Sequence, residues 1–204
     1  MDNGYFLRLT VGQYLSELSR RSAVPGGGSA AALAAALGAG LNLMVLNFSI
    51  DRERDGGQAE KLTAAKERQQ QSLESLSRLV DEDCKAFRGL MKALSEKKDA
   101  QQEYISAASV PMKVCRECHV SMHITEHLAV DSNRRLISDV GCAAQTLRGA
   151  FHSARFNVEI NLKYIRDRSF VDNTRDILKS MEKDIELSVR NISAGIESLM
   201  NPKG

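Results

Sequence analysis

The segment from Ala30 to Ile50 contains no charged residue, and it limits the possible folds more than any other part of the chain. As a helix it is long enough to cross a bilayer. However, it is rich in alanine and glycine, it contains Asn42, Asn47 and Ser49, and it lacks an aromatic belt and basic flanks. A helix that is apolar all round in such a chain is typical of a protein interior. We therefore predict a central buried helix rather than a membrane span.

Elsewhere in the chain, apolar residues recur at intervals of three and four, which is typical of amphipathic helices. A capping box of Thr10 and Gln13 opens a short first helix that reaches about Ser22, and Ser29 is a natural N-cap for the apolar helix. The low aromatic content of 5% and the three prolines argue against a sandwich or barrel. We predict an all-α bundle of five to six helices, with the later ones at about 58–97, 104–130, 136–164 and 177–200.

The size and charge of the chain indicate its class. A chain of 204 residues can bury a substantial core, so we treat 1–204 as one domain. The 28 basic and 26 acidic residues are interspersed, which gives no sign of a nucleic-acid-binding surface. The sequence starts without a secretory signal, so we expect a cytoplasmic protein whose four cysteines are reduced.

Small residues within the apolar segment suggest a contact between subunits. Ala34, Ala35, Gly38 and Gly40 would let a neighbouring helix approach closely. Because a second copy of the same chain can supply that helix, we expect a two-fold homodimer.

Three successive glycines precede the apolar helix. A helix start offers unpaired N–H groups and a favourable dipole to an anion such as a carboxylate or phosphate. A simple turn with a capping serine is the alternative, but three glycines exceed what a turn needs and suggest close approach of the backbone to another group. The candidate binding residues here are Pro25, Gly26, Gly27, Gly28 and Ser29.

One carboxylate lies on the apolar face of the third predicted helix. Asp83 follows Val80 by three residues and precedes Phe87 by four, whereas Asp81 and Glu82 point elsewhere. When such a carboxylate is unpaired its pKa rises, which is how proteins make general acids and bases. The alternative is a structural ion pair in the core.

The fifth predicted helix carries small and polar residues along one face. Such a stripe either lines a pocket, with its amides orienting a ligand, or forms a close contact between helices. Near the helix start, N-capping is the simpler role for Ser138 or Asp139. The stripe consists of Asp139, Cys142, Thr146, Ala150, Ser153, Asn157 and Asn161.

The fourth predicted helix contains Cys115-Arg-Glu-Cys118-His119, the attachment pattern of c-type haem. Covalent haem attachment normally requires export, and the sequence shows no export signal. One face of this helix supplies too few metal ligands unless another helix contributes, for example through His152. We therefore predict neither a haem nor a metal cofactor. The candidate ligands on that face are Cys115, His119, His123 and His127.

Six segments that keep their order from about Val11 to about Arg168 carry a resemblance. They are Pro25-Gly-Gly-Gly-Ser29, Val80-Asp-Glu-Asp83-Cys-Lys-Ala86-Phe87, Pro111, Asn133, Ser138-Asp139-Val-Gly-Cys-Ala-Ala144 and Asn157-Val-Glu-Ile-Asn161-Leu162. Together they closely resemble the cyclodeaminase/cyclohydrolase family of folate enzymes. The connection between Lys92 and Tyr104 departs from the family pattern.

The resemblance implies an all-helical homodimer that acts on tetrahydrofolate derivatives without a cofactor. Members add water to methenyltetrahydrofolate to give formyltetrahydrofolate, or release ammonia from formiminotetrahydrofolate to give methenyltetrahydrofolate. Since no formiminotransferase domain is fused to the sequence, we expect the cyclohydrolase, with the cyclodeaminase as the alternative. By resemblance Asp83 is the catalytic residue, with Asp139 assisting. The implied substrate-binding residues are Pro25, Gly26, Gly27, Gly28, Ser29, Phe87, Asn133, Ser138, Asn157 and Asn161.

Overall fold

A computed structural model describes residues 6–51, 56–131 and 134–200. Over these ranges the chain forms α-helices, two short 3₁₀ turns and no strand, so the predicted all-α bundle is confirmed. The bounds of the helices lie close to the predicted ones for most of the chain. The helices are α1 (Val11–Leu18), α2 (Gly27–Ile50), α3 (Gly56–Ser95), α4 (Gln101–Asp131), α5 (Ile137–Leu162) and α6 (Arg168–Met200).

The uncharged helix α2 lies in the interior of the bundle. It packs against α3, α4 and α5, and Ala32, Ala35 and Leu46 are completely buried. Its length, and a mean hydropathy of 1.8 over its most apolar window of 18 residues, would suit a membrane span. However, 61% of that window is buried inside the bundle. The prediction of a central buried helix is therefore confirmed.

A polar network sets how α2 is aligned against its neighbours. The amide of Asn42 donates to the carbonyl of Ser121 at 3.0 Å and lies 3.3 Å from Gln69 Oε1 on α3. The hydroxyl of Thr125 donates to Asn42 Oδ1 at 3.1 Å. Because an unpaired amide in the core costs about 1–3 kcal/mol, sliding α2 along α3 and α4 is disfavoured.

The start of α2 differs from the prediction. The capping box of α1 is present, with the Gln13 N–H donating to Thr10 Oγ1 at 3.2 Å. However, α2 begins at Gly27 with Gly26 as its N-cap, so the assignment of Ser29 as the N-cap is wrong. The Ser29 hydroxyl is buried and lies 3.1 Å from the Tyr14 hydroxyl, so its side chain tethers α1 to α2 instead.

The last helix begins earlier than the apolar pattern predicted. α6 starts at Arg168, nine residues before the predicted start at 177. The Asp167 carboxylate accepts a hydrogen bond from the Phe170 N–H at 3.0 Å, which is N-cap geometry. The added turns bring Val171 into the core and carry α6 across α4 and α5.

Gly38 allows α2 and α5 to approach closely, and its replacement is expected to destabilise the fold. A Cβ at this position would lie 2.7 Å from Leu147 Cγ, and Leu147 is itself completely buried. Overpacking of this kind predicts that Gly38→Ala lowers the free energy of unfolding by about 1–3 kcal/mol, measured by urea denaturation. The matched control is Gly195→Ala, where a Cβ meets open space and helix propensity favours alanine. Equal stability of Gly38→Ala and wild type would contradict the close packing.

Candidate active site

A cavity of about 440 Å³ opens where the loop before α2 meets α3, α4 and α5. This volume falls within the usual range of about 300–1,000 Å³ for small-molecule sites. Among the described residues, Asp83 is the only charged side chain on its wall. The site residues from the sequence that line it are Gly26, Gly27, Gly28, Asp83, Phe87, Asn157 and Asn161.

The carboxylate of Asp83 lies directly over the start of α2. A Cβ on Gly28 would fall 2.5 Å from the carboxyl carbon, so glycine is required for this approach. The backbone N–H of Ser29 donates to the same carboxylate. The glycine run was predicted to hold an anion, and the anion found there is the protein's own Asp83 side chain.

Burial raises the pKa of Asp83 above its ordinary value, and the hydrogen bond from the Ser29 N–H offsets part of that rise. The residue is half-buried and has no cationic partner among the described residues that line the cavity. Its environment is therefore that of a partly desolvated carboxyl group rather than of a structural ion pair with another residue of the cavity wall.

The three neighbouring acids of α3 have different environments. Asp81 is buried and accepts a hydrogen bond from the Phe6 N–H at 2.6 Å. Glu82 lies 3.5 Å from the Lys113 ammonium group at the surface. Since only Asp83 reaches the cavity, the prediction that the other two point elsewhere is confirmed.

Cys84 directly follows Asp83 in the sequence and carries a thiol, but its side chain is buried. Burial raises its pKa to about 11, so the group remains a neutral thiol at physiological pH. Cys84 also does not line the cavity, so it is not a candidate nucleophile there.

Two amides of α5 face the cavity in fixed orientations. Asn157 Nδ2 donates to the Ser153 carbonyl at 2.8 Å, and Asn161 Nδ2 donates to the Asn157 and Ala107 carbonyls at 2.8 and 3.2 Å. Backbone carbonyls accept from both nitrogens, and these hydrogen bonds leave the Oδ1 atom of each side chain available as an acceptor.

An aromatic pair on the wall of the cavity was not predicted from the sequence. Tyr104 of α4 stacks on Tyr164, just beyond α5, with ring centroids 5.0 Å apart and planes 18° from parallel. Gln101 supports the pair by donating to the Tyr164 carbonyl at 2.9 Å. No local pattern signals a contact between residues sixty positions apart.

Several predicted site residues lie elsewhere. Ser138 and Asp139 are at the start of α5, about 27 Å along the helix from Asn157, because eighteen residues of helix separate them. Within one chain they therefore do not share the cavity with Asp83. Pro25 and Ser29 are buried beside the cavity rather than on its wall, and Asn133 lies outside the described residues.

The haem alternative does not fit the helix that carries its pattern. Cys115 and Cys118 are completely buried, and the Cys115 thiol points to the Phe151 carbonyl at 3.7 Å. Burial raises the pKa of Cys118 well above its ordinary value. A porphyrin has no access to these thiols.

The raised pKa of Asp83 predicts a stability cost at neutral pH. Protonated Asp83 is favoured in the folded state, so the stability linked to that proton is present at low pH and is lost as the pH rises through the folded-state pKa. The Asp83→Asn variant carries no such charge, and its amide oxygen can still accept from Ser29. We expect it to melt at a higher temperature than wild type at pH 7, with the difference shrinking below about pH 4. Equal melting temperatures at both pH values would contradict the desolvation of this carboxylate.

A family model described as Formiminotransferase-cyclodeaminase matches residues 10–180. The chain is 31% identical to a methenyltetrahydrofolate cyclohydrolase of Methylorubrum extorquens, over 85% of this chain and 87% of the relative. It is 30% identical to a formimidoyltransferase-cyclodeaminase of Rattus norvegicus, over 91% of this chain. The aligned region spans 36% of that longer relative.

The fold is also similar to a solved structure. The crystal structure of formiminotetrahydrofolate cyclodeaminase from Thermotoga maritima superposes with a TM-score of 0.90 and 29% sequence identity. The match covers 95% of this chain and 98% of the other. The likeness therefore extends over the cavity and all six helices, rather than over a single motif.

Proposed function

Because the chain belongs to the formiminotransferase-cyclodeaminase family, we propose that it hydrolyses 5,10-methenyltetrahydrofolate to formyltetrahydrofolate with Asp83 as the catalytic acid–base group. It is an enzyme of tetrahydrofolate one-carbon chemistry, and its substrate is a small folate. The observation that carries the mechanism is the half-buried Asp83 carboxyl, with its raised pKa, in an otherwise uncharged cavity.

The chemistry follows from the charge of the substrate. The methenyl bridge is a cationic amidinium with an electrophilic carbon, so a poorly solvated carboxylate beside it lowers the energy of the bound cation. Asp83 then accepts a proton from the water that attacks the carbon. The same group returns that proton to the nitrogen that leaves. The hydroxyl of the adduct loses its own proton to solvent as the formyl carbonyl forms, so one proton is released overall. Proton transfer and water addition suffice, so we propose that no cofactor takes part.

The remaining wall of the cavity suits a reduced pterin. We propose that the Oδ1 atoms of Asn157 and Asn161 accept hydrogen bonds from the N–H groups of a pterin edge, since the Nδ2 atoms of both residues donate to backbone carbonyls. Phe87 and the stacked pair of Tyr104 and Tyr164 offer flat apolar surface to its rings. We assign no chemical step to Asp139, because it lies at the far end of α5.

The cyclodeaminase reaction is the second candidate, and the similarity to the Thermotoga maritima enzyme favours it. In that reaction N10 attacks the formimino carbon and the ring closes as ammonia leaves. Asp83 would protonate the leaving nitrogen, so the same carboxyl serves both reactions.

An absorbance assay tests the proposed function. The methenyl chromophore absorbs in the near ultraviolet, and we expect the protein to remove it faster than the spontaneous rate, with formyltetrahydrofolate as the product. Appearance of the same absorbance from formiminotetrahydrofolate, together with released ammonia, would select the cyclodeaminase. Failure of both assays with folded protein would refute a folate one-carbon activity.

The homodimer remains a proposal, and an uncharged groove between α2 and α5 supports it. Leu37 of α2 is 62% exposed and Phe156 of α5 is 74% exposed. The groove between the two helices is lined by uncharged residues and shares Gly27 and Asn157 with the active-site cavity. A second copy that covers this apolar face would therefore also border the site.

Disruption of this face is expected to give monomers. Phe156→Glu places a charge on the wall of this uncharged groove, so we expect the dimer mass of the wild type to fall to that of one chain by light scattering. Leu187→Glu on α6 is the matched control, since Leu187 is also exposed but lies outside the groove. A wild-type protein that is monomeric at micromolar concentration would contradict the proposal.

Two further assignments are proposals of the same kind. All four cysteines are free thiols, which supports a reducing, cytoplasmic location. One continuous hydrophobic cluster joins residues of all six helices, which supports a single folded domain over 1–204.

A further inference from the structure

Two histidines of α4 and one aspartate of α6 converge on the side of the bundle. His119 Nε2 lies 3.0 Å from Asp184 Oδ2 and 3.2 Å from His123 Nε2. One ligand atom from each of the three residues lies within 4.8 Å of the other two. All three side chains are partly exposed, so an ion from solvent can reach them and water can complete its coordination.

We propose that His119, His123 and Asp184 form a binding site for a divalent transition-metal ion of the Zn²⁺ class. Tetrahedral Zn²⁺ with metal–nitrogen distances near 2.0–2.1 Å separates its ligand atoms by about 3.3 Å. The separations of 3.0 and 3.2 Å from His119 Nε2 to Asp184 Oδ2 and to His123 Nε2 are close to that spacing. Imidazole nitrogens suit Zn²⁺, whereas Mg²⁺ prefers oxygen ligands.

The residues around His123 support its assignment as a metal ligand. Glu126 faces the other ring nitrogen of His123, with Oε2 3.9 Å from Nδ1. The Ser188 hydroxyl donates to that oxygen at 3.1 Å, and Asn191 donates to the second oxygen at 3.3 Å. A carboxylate behind a ligating imidazole selects the tautomer whose free nitrogen faces the ion.

Three neighbouring acids of α6 contact two different helices. Glu182 and Glu186 pair with Arg155 and Arg148 of α5, whereas Asp184 contacts His119 of α4. The negative charge of Asp184 is therefore directed at the histidine pair. His152, considered from the sequence as an added ligand, is bound to Glu186 instead, at 2.8 Å.

The expected role of the ion is to link α4 to α6. His119 lies about 18 Å along α4 from Ala107, which lines the active-site cavity, so the ion does not reach the reacting atoms. Binding to the folded state alone raises stability by mass action. The inference is independent of the proposed folate activity.

Calorimetric titration of chelator-treated full-length protein with Zn²⁺ tests the site. We expect one saturable Zn²⁺ per chain, a higher melting temperature on addition of Zn²⁺, and no response to Mg²⁺. His119→Ala and Asp184→Asn should each weaken Zn²⁺ binding at least tenfold and abolish the thermal shift. His127→Ala is the matched control, because it removes an exposed histidine one turn further along α4 and should bind as wild type does.

Unsaturable binding, or equal affinity in wild type, His119→Ala and Asp184→Asn, would overturn the proposal. If a variant fails to fold, the absorption spectrum of wild-type protein with Co²⁺ shows whether the site binds a metal ion. Intense visible bands of four-coordinate Co²⁺ would support the site, and a spectrum identical to that of aqueous Co²⁺ would refute it.

Discussion

Replacing Asp83 with asparagine is expected to lower kcat by about 10²- to 10⁴-fold while folate binding changes only a few-fold. The amide keeps the size of the carboxyl group and can still accept the Ser29 N–H, but it cannot accept a proton from water or neutralise a cationic carbon. Steady-state loss of the methenyl absorbance gives kcat, and a binding titration with a stable folate analogue gives the affinity. A large loss of kcat with retained affinity identifies a group that acts on the transition state.

Glu82→Gln is the matched control for this experiment. Glu82 is the adjacent acid, and it pairs with Lys113 outside the cavity, so its replacement is expected to leave turnover within a few-fold of wild type. Unchanged turnover in Asp83→Asn would contradict the catalytic assignment. Loss of turnover in both variants would indicate a general disturbance of α3.

Gly28→Ala is expected to reduce turnover by about 10²-fold or more, although it changes no chemical group at the site. The new Cβ would overlap the Asp83 carboxyl group, which must move away from the start of α2. A displaced carboxyl loses its alignment with both the substrate carbon and the Ser29 N–H. The kcat of the variant, with its fold checked by circular dichroism, measures the effect.

Two comparisons separate this steric effect from a general one. Gly89→Ala, also in a helix, places its Cβ in open space and is expected to retain full activity. Because Gly28→Ala acts through Asp83, adding it to Asp83→Asn should cause little further loss. Additive losses in the double variant would show that Gly28 contributes by another route.

The helical period predicted the position of Asp83 but not its partner. Its spacing from Val80 and Phe87 placed it on the apolar face of α3, and the glycine run indicated an anion at the start of α2. That the two features meet depends on how α2 packs against α3, and no pattern within either segment encodes that contact.

The polar stripe of α5 shows what helical periodicity does not predict. Residues spaced by three and four do share one face, but α5 extends from Ile137 to Leu162 and is much longer than the cavity. Of the stripe, only Asn157 and Asn161, near the carboxyl end of α5, line the cavity that contains Asp83. Periodicity gives the direction of a side chain and leaves its position along the site undetermined.

The histidines of α4 show that periodicity within one helix does not predict its contacts with another helix. Their four-residue spacing predicted that His119 and His123 share a face, and the structure places their Nε2 atoms 3.2 Å apart. Asp184, the third member of the cluster, lies 61 residues after His123 on a helix whose first turns were not predicted. A contact between α4 and α6, which are separated in the chain by α5, requires the packed bundle.

The most direct measurement is the titration of the Asp83 carboxyl carbon by ¹³C NMR, assigned with Asp83→Asn, in free protein and with a bound folate analogue. We expect the pKa of Asp83 in the free protein to lie above the ordinary aspartate value of about 3.9. We also expect its titration to change clearly when the folate analogue occupies the cavity. An ordinary pKa that does not respond to folate would contradict the claim that this carboxyl is held, poorly solvated, beside the substrate.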